Sequence, residues 1–268
     1  MSEFLSHPWA KYVIGAIALI AWGYRYFKQG QSSASEGLIT QSKASSLTQG
    51  QQFSIALDAI MSAYWLVDNN ILEFTHNGKK PRDFNRYMEG WYINTREGYL
   101  DLTNYFLTDG RRGYFDTIYP IFKNEPKEIR YTKLEEVYGN NDRAKRMLER
   151  LDKHNITAYL QTQGIIEFES DIEIGSMGWD ISNLVGQARR AFTANLISEA
   201  EAWEIINKAT QMAKNNFNSW EDFGRSQLIG MTMDFYGKDN GYCKEYIQLY
   251  RNILTKPDSP WNTIAWKK

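Results

Sequence analysis

The chain is poor in the residues on which many chemistries depend. It carries one cysteine, Cys243, three histidines (His7, His76 and His154) and six prolines in 268 residues. A single thiol excludes an internal disulfide framework and any multi-thiolate zinc site, and three scattered histidines make a His-rich metal set improbable. Charge of one sign is also missing in excess, since 31 Lys and Arg stand against 32 Asp and Glu. Nucleic-acid binders use a basic surplus to neutralise phosphates, and this chain has none globally. The sequence contains no HExxH, no GxSxG, no P-loop and no GxGxxG opening a helix after a strand, so the common catalytic signatures are absent. What is abundant is material for a core: 43% of residues are apolar and 15% aromatic, with nine Trp. That excludes a disordered chain. A mean hydropathy of -0.54 excludes a polytopic membrane protein and leaves room for one span.

The one long apolar run lies near the amino terminus. Tyr12 to Tyr24 reads YVIGAIALIAWGY without a charge, and Pro8 to Phe27 contains only Lys11 and Arg25. A helix of that length rises about 30 Å, one hydrocarbon thickness. Lys11 and Arg25 stand near its ends, where they can snorkel, and Trp9, Trp22, Tyr24 and Tyr26 suit the interfacial belts. Residues 1–28 are therefore expected to be a single transmembrane anchor in contact with the bilayer through residues 8–27. More Lys and Arg follow the run than precede it, which places the larger part in the cytoplasm. Residues 29–50, rich in Ser, Gly and Gln, read as a flexible linker with a reach of about 26 Å.

From residue 51 the pattern predicts a mainly α, multi-helix domain with at most a minor β element. Ser54 to Val67 reads as one buried helix, closed by Asp68-Asn69-Asn70. Pro81-Arg82-Asp83-Phe84 suits a helix start, and Thr132 with Glu135 has the spacing of a capping box. Asp142 to Lys153 (DRAKRMLERLDK) reads as a solvated, charged helix face with Met147, Leu148 and Leu151 buried. In EFESDIEI, Glu167, Glu169, Asp171 and Glu173 alternate with apolar residues. Period two predicts an extended segment with four carboxylates on one side. Two meanings stand open for it: a charged edge strand that discourages aggregation, or an acidic strip facing a basic partner. Further on, Ser198 with Glu201 and Ser219 with Asp222 mark two helix starts.

The order Gly178-Trp179-Asp180, Arg189, Ser198 with Glu201-Ala202-Trp203, Ser219-Trp220-Glu221-Asp222-Phe223-Gly224, Gly230, and Ser259-Pro260-Trp261 with Trp266 resembles a bacterial domain family of unknown function typified by the YbeU and YbeR proteins. The stretch around Trp91 is similar to that family's earlier half, less specifically. The resemblance implies no settled activity. Some members look like neighbours or immunity partners of secreted antibacterial toxins, which implies a cognate protein as partner. The amino-terminal apolar run departs from the plain soluble members, and it is this run with its Lys and Arg bias that makes the bacterial inner membrane the expected place of work.

Two functions of different class follow. The first is a membrane-anchored, non-enzymatic protein-binding module, an immunity protein in its sharpest form, with Glu167, Glu169, Asp171 and Glu173 as partner-binding residues. The second is a hydrolase-like or nucleotide-handling enzyme using Asp180, Arg189, Glu221 and Asp222, because paired carboxylates serve general acid–base chemistry or hold a divalent cation. Against the second, Glu201 and Asp222 stand where capping already employs them, and Asp180 reads as a helix cap or as the partner of Arg189. Trp203, Trp220 and Trp261 read as core, Cys243 as a free thiol without catalytic company, and His76 and His154 as loop residues. No cofactor, metal or nucleic acid is expected.

Overall fold

The computed structural model describes residues 39–43, 45–91 and 93–266. The anchor read at residues 1–28 and the first part of the linker, 29–38, lie outside the described residues. No helix among the described residues is long and apolar enough to cross a membrane.

Thirteen α-helices follow one another among the described residues, with no strand. They are α1 (Gln49–Ala56), α2 (Ala59–Trp65), α3 (Phe84–Gly90), α4 (Arg96–Thr108), α5 (Arg112–Asn124), α6 (Arg130–Tyr138), α7 (Asp142–Asp152) and α8 (Ile156–Thr162). After a single 3-10 turn, Glu169–Ile174, come α9 (Met177–Thr193), α10 (Glu199–Asn216), α11 (Trp220–Phe235), α12 (Asn240–Thr255) and α13 (Pro260–Thr263). Their mainly helical character is as the pattern predicts. An isolated antiparallel bridge between His76 and Lys79 is the one β contact among the described residues.

Helix α9 is the centre. Fourteen of its seventeen residues are buried, and α10, α11, α4 and α2 all pack on it. Two glycines let α9 and α11 approach at backbone distance. A Cβ on Gly178 would lie 2.5 Å from the Phe223 carbonyl oxygen, and one on Gly230 would lie 2.4 Å from Cβ of Trp179. Any larger residue forces these helices apart. The carboxy-terminal indoles close the far side. Trp220 stacks on Trp261 at 5.3 Å with 10° between planes, and Trp266 meets Trp220 edge-on at 4.8 Å. Each ring also donates its Nε1 hydrogen to a backbone carbonyl: Trp220 to Ile264 at 2.7 Å, Trp261 to Ala56 at 2.8 Å and Trp266 to Phe217 at 3.2 Å. A buried indole keeps its apolar payload only when its N–H finds such a partner, so this tail is scaffold that ties the end of the chain to α1. Trp203 is only half-buried and bonds Glu199 at 3.2 Å.

Four local expectations need correction. The second part of the linker, residues 39–43 and 45–50, is fastened down. The amide of Asn69 donates to the Thr40 carbonyl, Asn70 exchanges two hydrogen bonds with the Ser42 backbone, and Thr48 with Gln51 forms the capping box of α1. The run Ser54 to Val67 is broken at Leu57-Asp58 into α1 and α2. Thr132 lies inside α6, whose N-cap is Ile129; Glu135 is used in a salt bridge to Lys145 at 2.6 Å. Finally, Glu169–Ile174 is a 3-10 turn and not an extended strand. With no neighbouring strand to pair with, the segment satisfies its backbone locally, through the carboxylate of Asp171.

Candidate functional site

Two polar residues of the family-like motifs, Asp180 and Arg189, sit on α9, and each faces a different partner. Asp180 is fully buried. Its Oδ1 accepts the backbone N–H of Arg111 at 2.9 Å, and its Oδ2 accepts the backbone N–H of Arg112 at 3.0 Å and the Arg112 guanidinium at 3.1 Å. It therefore holds the start of α5, where the first amides have no intrahelical acceptor. Burial pushes its carboxyl up to about 6, against the pull of those amides and the two arginines.

Arg189 is equally buried but does not meet Asp180. Nine residues of helix separate them, about 14 Å along the axis. Its partner is Asp58, at 2.8 Å, with Ser62 Oγ at 2.5 Å and the carbonyls of Asp68, Leu72 and Glu73 at 2.6, 3.3 and 3.1 Å. Burial raises the Asp58 carboxyl above its ordinary value while Arg189 and the neighbouring Arg190 oppose the rise. Arg190 makes no ion pair among the described residues and lies over the rings of Phe74 at 3.8 Å and Tyr87 at 4.4 Å, a cation–π seat. The expected Asp180–Arg189 pair is thus replaced by two separate centres.

A third centre forms around Asp234, near the end of α11. Its Oδ2 accepts from Trp179 Nε1 at 2.8 Å and from Arg111, and its Oδ1 accepts from Arg143 at 2.9 Å. Burial opposes ionisation of this carboxylate, but Arg111 and Arg143 outweigh it and hold the pKa below the usual range. Glu221 and Asp222 stand elsewhere. Glu221 is exposed and pairs with Arg225 at 3.1 Å, while Asp222 receives the Ser219 cap through its backbone amide. Asp180, Arg189, Glu221 and Asp222 therefore do not gather around one reacting atom, which a shared acid–base site requires.

The four acidic residues at and just before the 3-10 segment also part company. Asp171 turns inward, accepting the backbone N–H groups of Glu167 at 2.8 Å and Phe168 at 3.0 Å, and these bonds hold its carboxyl below the usual range. Glu173 pairs with Lys123. Glu167 and Glu169 remain exposed, on either side of Phe168, which is 61% exposed. Glu169 also borders a recess of about 290 Å³ lined by Phe122, Arg130 and Leu151.

Sequence reasoning missed Asp58, Asp234, Arg111, Arg112 and Arg143. A signal existed for two of them. Asp58 interrupts the apolar run SIALDAIMSAYWLV, and Asp234 interrupts MTMDFY; a carboxylate inside an apolar stretch calls for a buried cation. The arginines fell in a turn and a charge run, where nothing local separates a buried guanidinium from a solvated one. Cys243 is buried among aromatics, and burial pushes its thiol up to about 12. Nδ1 of His76 contacts Asp68 at 2.9 Å. Among the described residues no group of His, Cys, Asp and Glu is arranged to hold a metal ion.

Residues 88–266 match the model of a family described as a protein of unknown function (DUF1266). No curated protein and no solved structure matches the chain.

Proposed function

As the chain belongs to the DUF1266 family, whose function is unknown, we propose from its geometry that it is a non-enzymatic binding module that docks a basic protein on the turn around Phe168. One observation carries this reading: a 61%-exposed phenylalanine is flanked by two exposed carboxylates on a turn whose backbone is pinned by Asp171. Exposed aromatics on a preorganised support supply much of the energy of protein interfaces, and the flanking charges select a partner of opposite sign. The scaffold work of Asp180 and Arg189 supports the same reading, because it leaves no converged acid–base set in the motifs. The resemblance to the YbeU/YbeR type is the ground for naming the partner: a toxin, blocked by occlusion. The apolar run at residues 8–27, with its Lys and Arg bias, supports action beside the inner face of a bilayer.

The test is calorimetric titration of the chain with the protein encoded by the adjacent reading frame. Phe168→Ala combined with Glu167→Gln and Glu169→Gln leaves Asp171 and Glu173 in place, so the turn keeps its shape. Loss of one exposed aromatic anchor and two complementary charges is expected to weaken binding by about tenfold to a hundredfold. Unchanged affinity of the triple variant would remove the turn from the interface.

A further inference from the structure

Arg143, Arg146 and Arg150 recur on α7 at spacings of three and four, so they share one face of that helix. With Arg111 before α5 and Lys238 after α11 they line a recess of about 240 Å³. Asp234 is the single carboxylate among its lining residues, against five cations. That carboxylate is already shared by Arg111, Arg143 and the Trp179 indole. Arg146 and Lys238, both exposed, form no ion pair among the described residues.

Arg150 carries the argument furthest. It is only 7% exposed, and its Nε donates to the Tyr236 carbonyl at 2.8 Å. Its two terminal amino groups make no hydrogen bond to any described residue, although the side chain lines the recess. Burial lowers its pKa from the ordinary value; Asp234 opposes this and Arg146 adds to it. A buried guanidinium normally ends on a carboxylate, a set of carbonyls or an aromatic face, as Arg189, Arg112 and Arg190 do here, because its desolvation is costly. At Arg150 the chain provides one carbonyl and surrounds it with more positive charge.

We propose that this recess binds a small phosphate-bearing anion. The paired N–H groups of a fixed guanidinium match two oxygens of a phosphoryl group, and Arg146 and Lys238 at the mouth add charge without a fixed geometry. A dianion suits the excess of cations better than a monoanionic carboxylate. The volume lies below the roughly 300–1,000 Å³ of drug-sized ligand sites, which favours a phosphate or diphosphate group over a dinucleotide. Met147 and Phe235 line the recess as well, giving the phosphoryl group partly apolar surroundings where charge-assisted bonds are stronger.

The experiment is calorimetric titration of the full chain with pyrophosphate and with inorganic phosphate at one fixed ionic strength, repeated for Arg150→Gln and for Arg146→Ala/Lys238→Ala. Pyrophosphate is expected to bind with one-to-one stoichiometry, about tenfold more weakly in the double variant and about a hundredfold more weakly in Arg150→Gln, the loss of a charge-assisted bidentate contact. The double variant alters only exposed side chains, so it keeps the test decisive if Arg150→Gln fails to fold. Absence of pyrophosphate binding, or equal affinity in native and double-variant chains, would overturn the assignment. A phosphoserine peptide binding far more tightly than pyrophosphate would overturn it in favour of a protein ligand.

Discussion

Replacing Asp180 by alanine is the sharpest measure of whether the motif carboxylates build scaffold. The side chain accepts three hydrogen bonds, two from the backbone amides that open α5 and one from Arg112, and it is fully buried. Alanine leaves two amides without an acceptor in a place water reaches poorly, at about 1–3 kcal/mol each. Removing one partner of a buried ion pair costs about 3–5 kcal/mol by itself, but Arg112 keeps the carbonyls of Phe106, Leu107 and Thr108, which lowers that share. The total expected is about 4 kcal/mol, a large part of the ~5–15 kcal/mol that stabilises a domain. Urea unfolding followed by tryptophan fluorescence reads it as a shift in midpoint with unchanged slope. Thermal melting should show a fall of about 8–16 °C, using ~2–4 °C per kcal/mol for a domain of this size. Glu221→Gln is the control, since an exposed i,i+4 pair is worth well under 1 kcal/mol. A loss below about 1 kcal/mol in Asp180→Ala, or equal losses in the two variants, would refute the scaffold reading and return Asp180 to the list of functional candidates. A pH series adds a second check. Because the folded pKa, at about 6, is raised above the ordinary 3.8, the folded state binds more protons between those values. Stability from this group is present below pH 3.8 and lost as the pH rises to 6, by about 3 kcal/mol in all. Asp180→Asn removes that slope.

Gly230→Ala places a methyl group where Cβ of Trp179 already stands, 2.4 Å away, and is expected to cost about 1–3 kcal/mol by overpacking; chemical denaturation measures it, and a neutral result would show that α9 and α11 separate freely. Ser198→Ala removes the cap of α10 and should cost about 1 kcal/mol. The Glu201 carboxyl in that capping box is held at about 2 by the Ser198 amide, Arg96 and the Ser198 hydroxyl, so its contribution is present above pH 4.5 and lost as the pH falls toward 2. Acid titration of native and Ser198→Ala chains should differ in that window, and identical profiles would deny the box its role. Cys243, with a thiol pushed up to about 12, is expected to resist a thiol-specific disulfide reagent at pH 8 until denaturant is added, then to react at one site per chain; fast native labelling would show that the core around it opens.

The helical class was legible because apolar residues recur at helical spacing and because Ser198 and Ser219 each sit where a cap belongs; both accept the expected backbone amide. Met147, Leu148 and Leu151 were legible as the buried stripe of α7. Arg150, on the same stripe, was not, since a charged residue in a charged run looks solvated until the packing of α11 is known. The acidic segment misled for a similar reason. Alternation over eight residues is the pattern of a strand, but strands need neighbours, and the described residues form no other strand. The break at Asp58 was hidden because Ser54 to Val67 is mostly apolar, with Asp58 its one charged residue; the break places Asp58 at the cap of α2, opposite Arg189.

The polar character of α9 follows from what surrounds it. Between α2 and α3 the chain runs through an irregular segment in which Val67, Asp68, Asn69, Leu72, Phe74 and Thr75 are buried, and buried backbone without regular structure must find other partners. Helix α9 supplies them. Arg189 donates to the carbonyls of Asp68, Leu72 and Glu73, and Thr193 Oγ1 accepts the Phe74 amide at 2.7 Å. Near the other end of the helix Asp180 does the reverse, accepting the amides of Arg111 and Arg112. An acid near the amino end and a base near the carboxyl end are also the signs that the helix dipole favours. One helix thus carries an acceptor where a neighbouring helix begins and donors where a buried loop passes. This accounts for the presence of Asp180 and Arg189 on one central helix at nine residues' separation, each with its own structural partners.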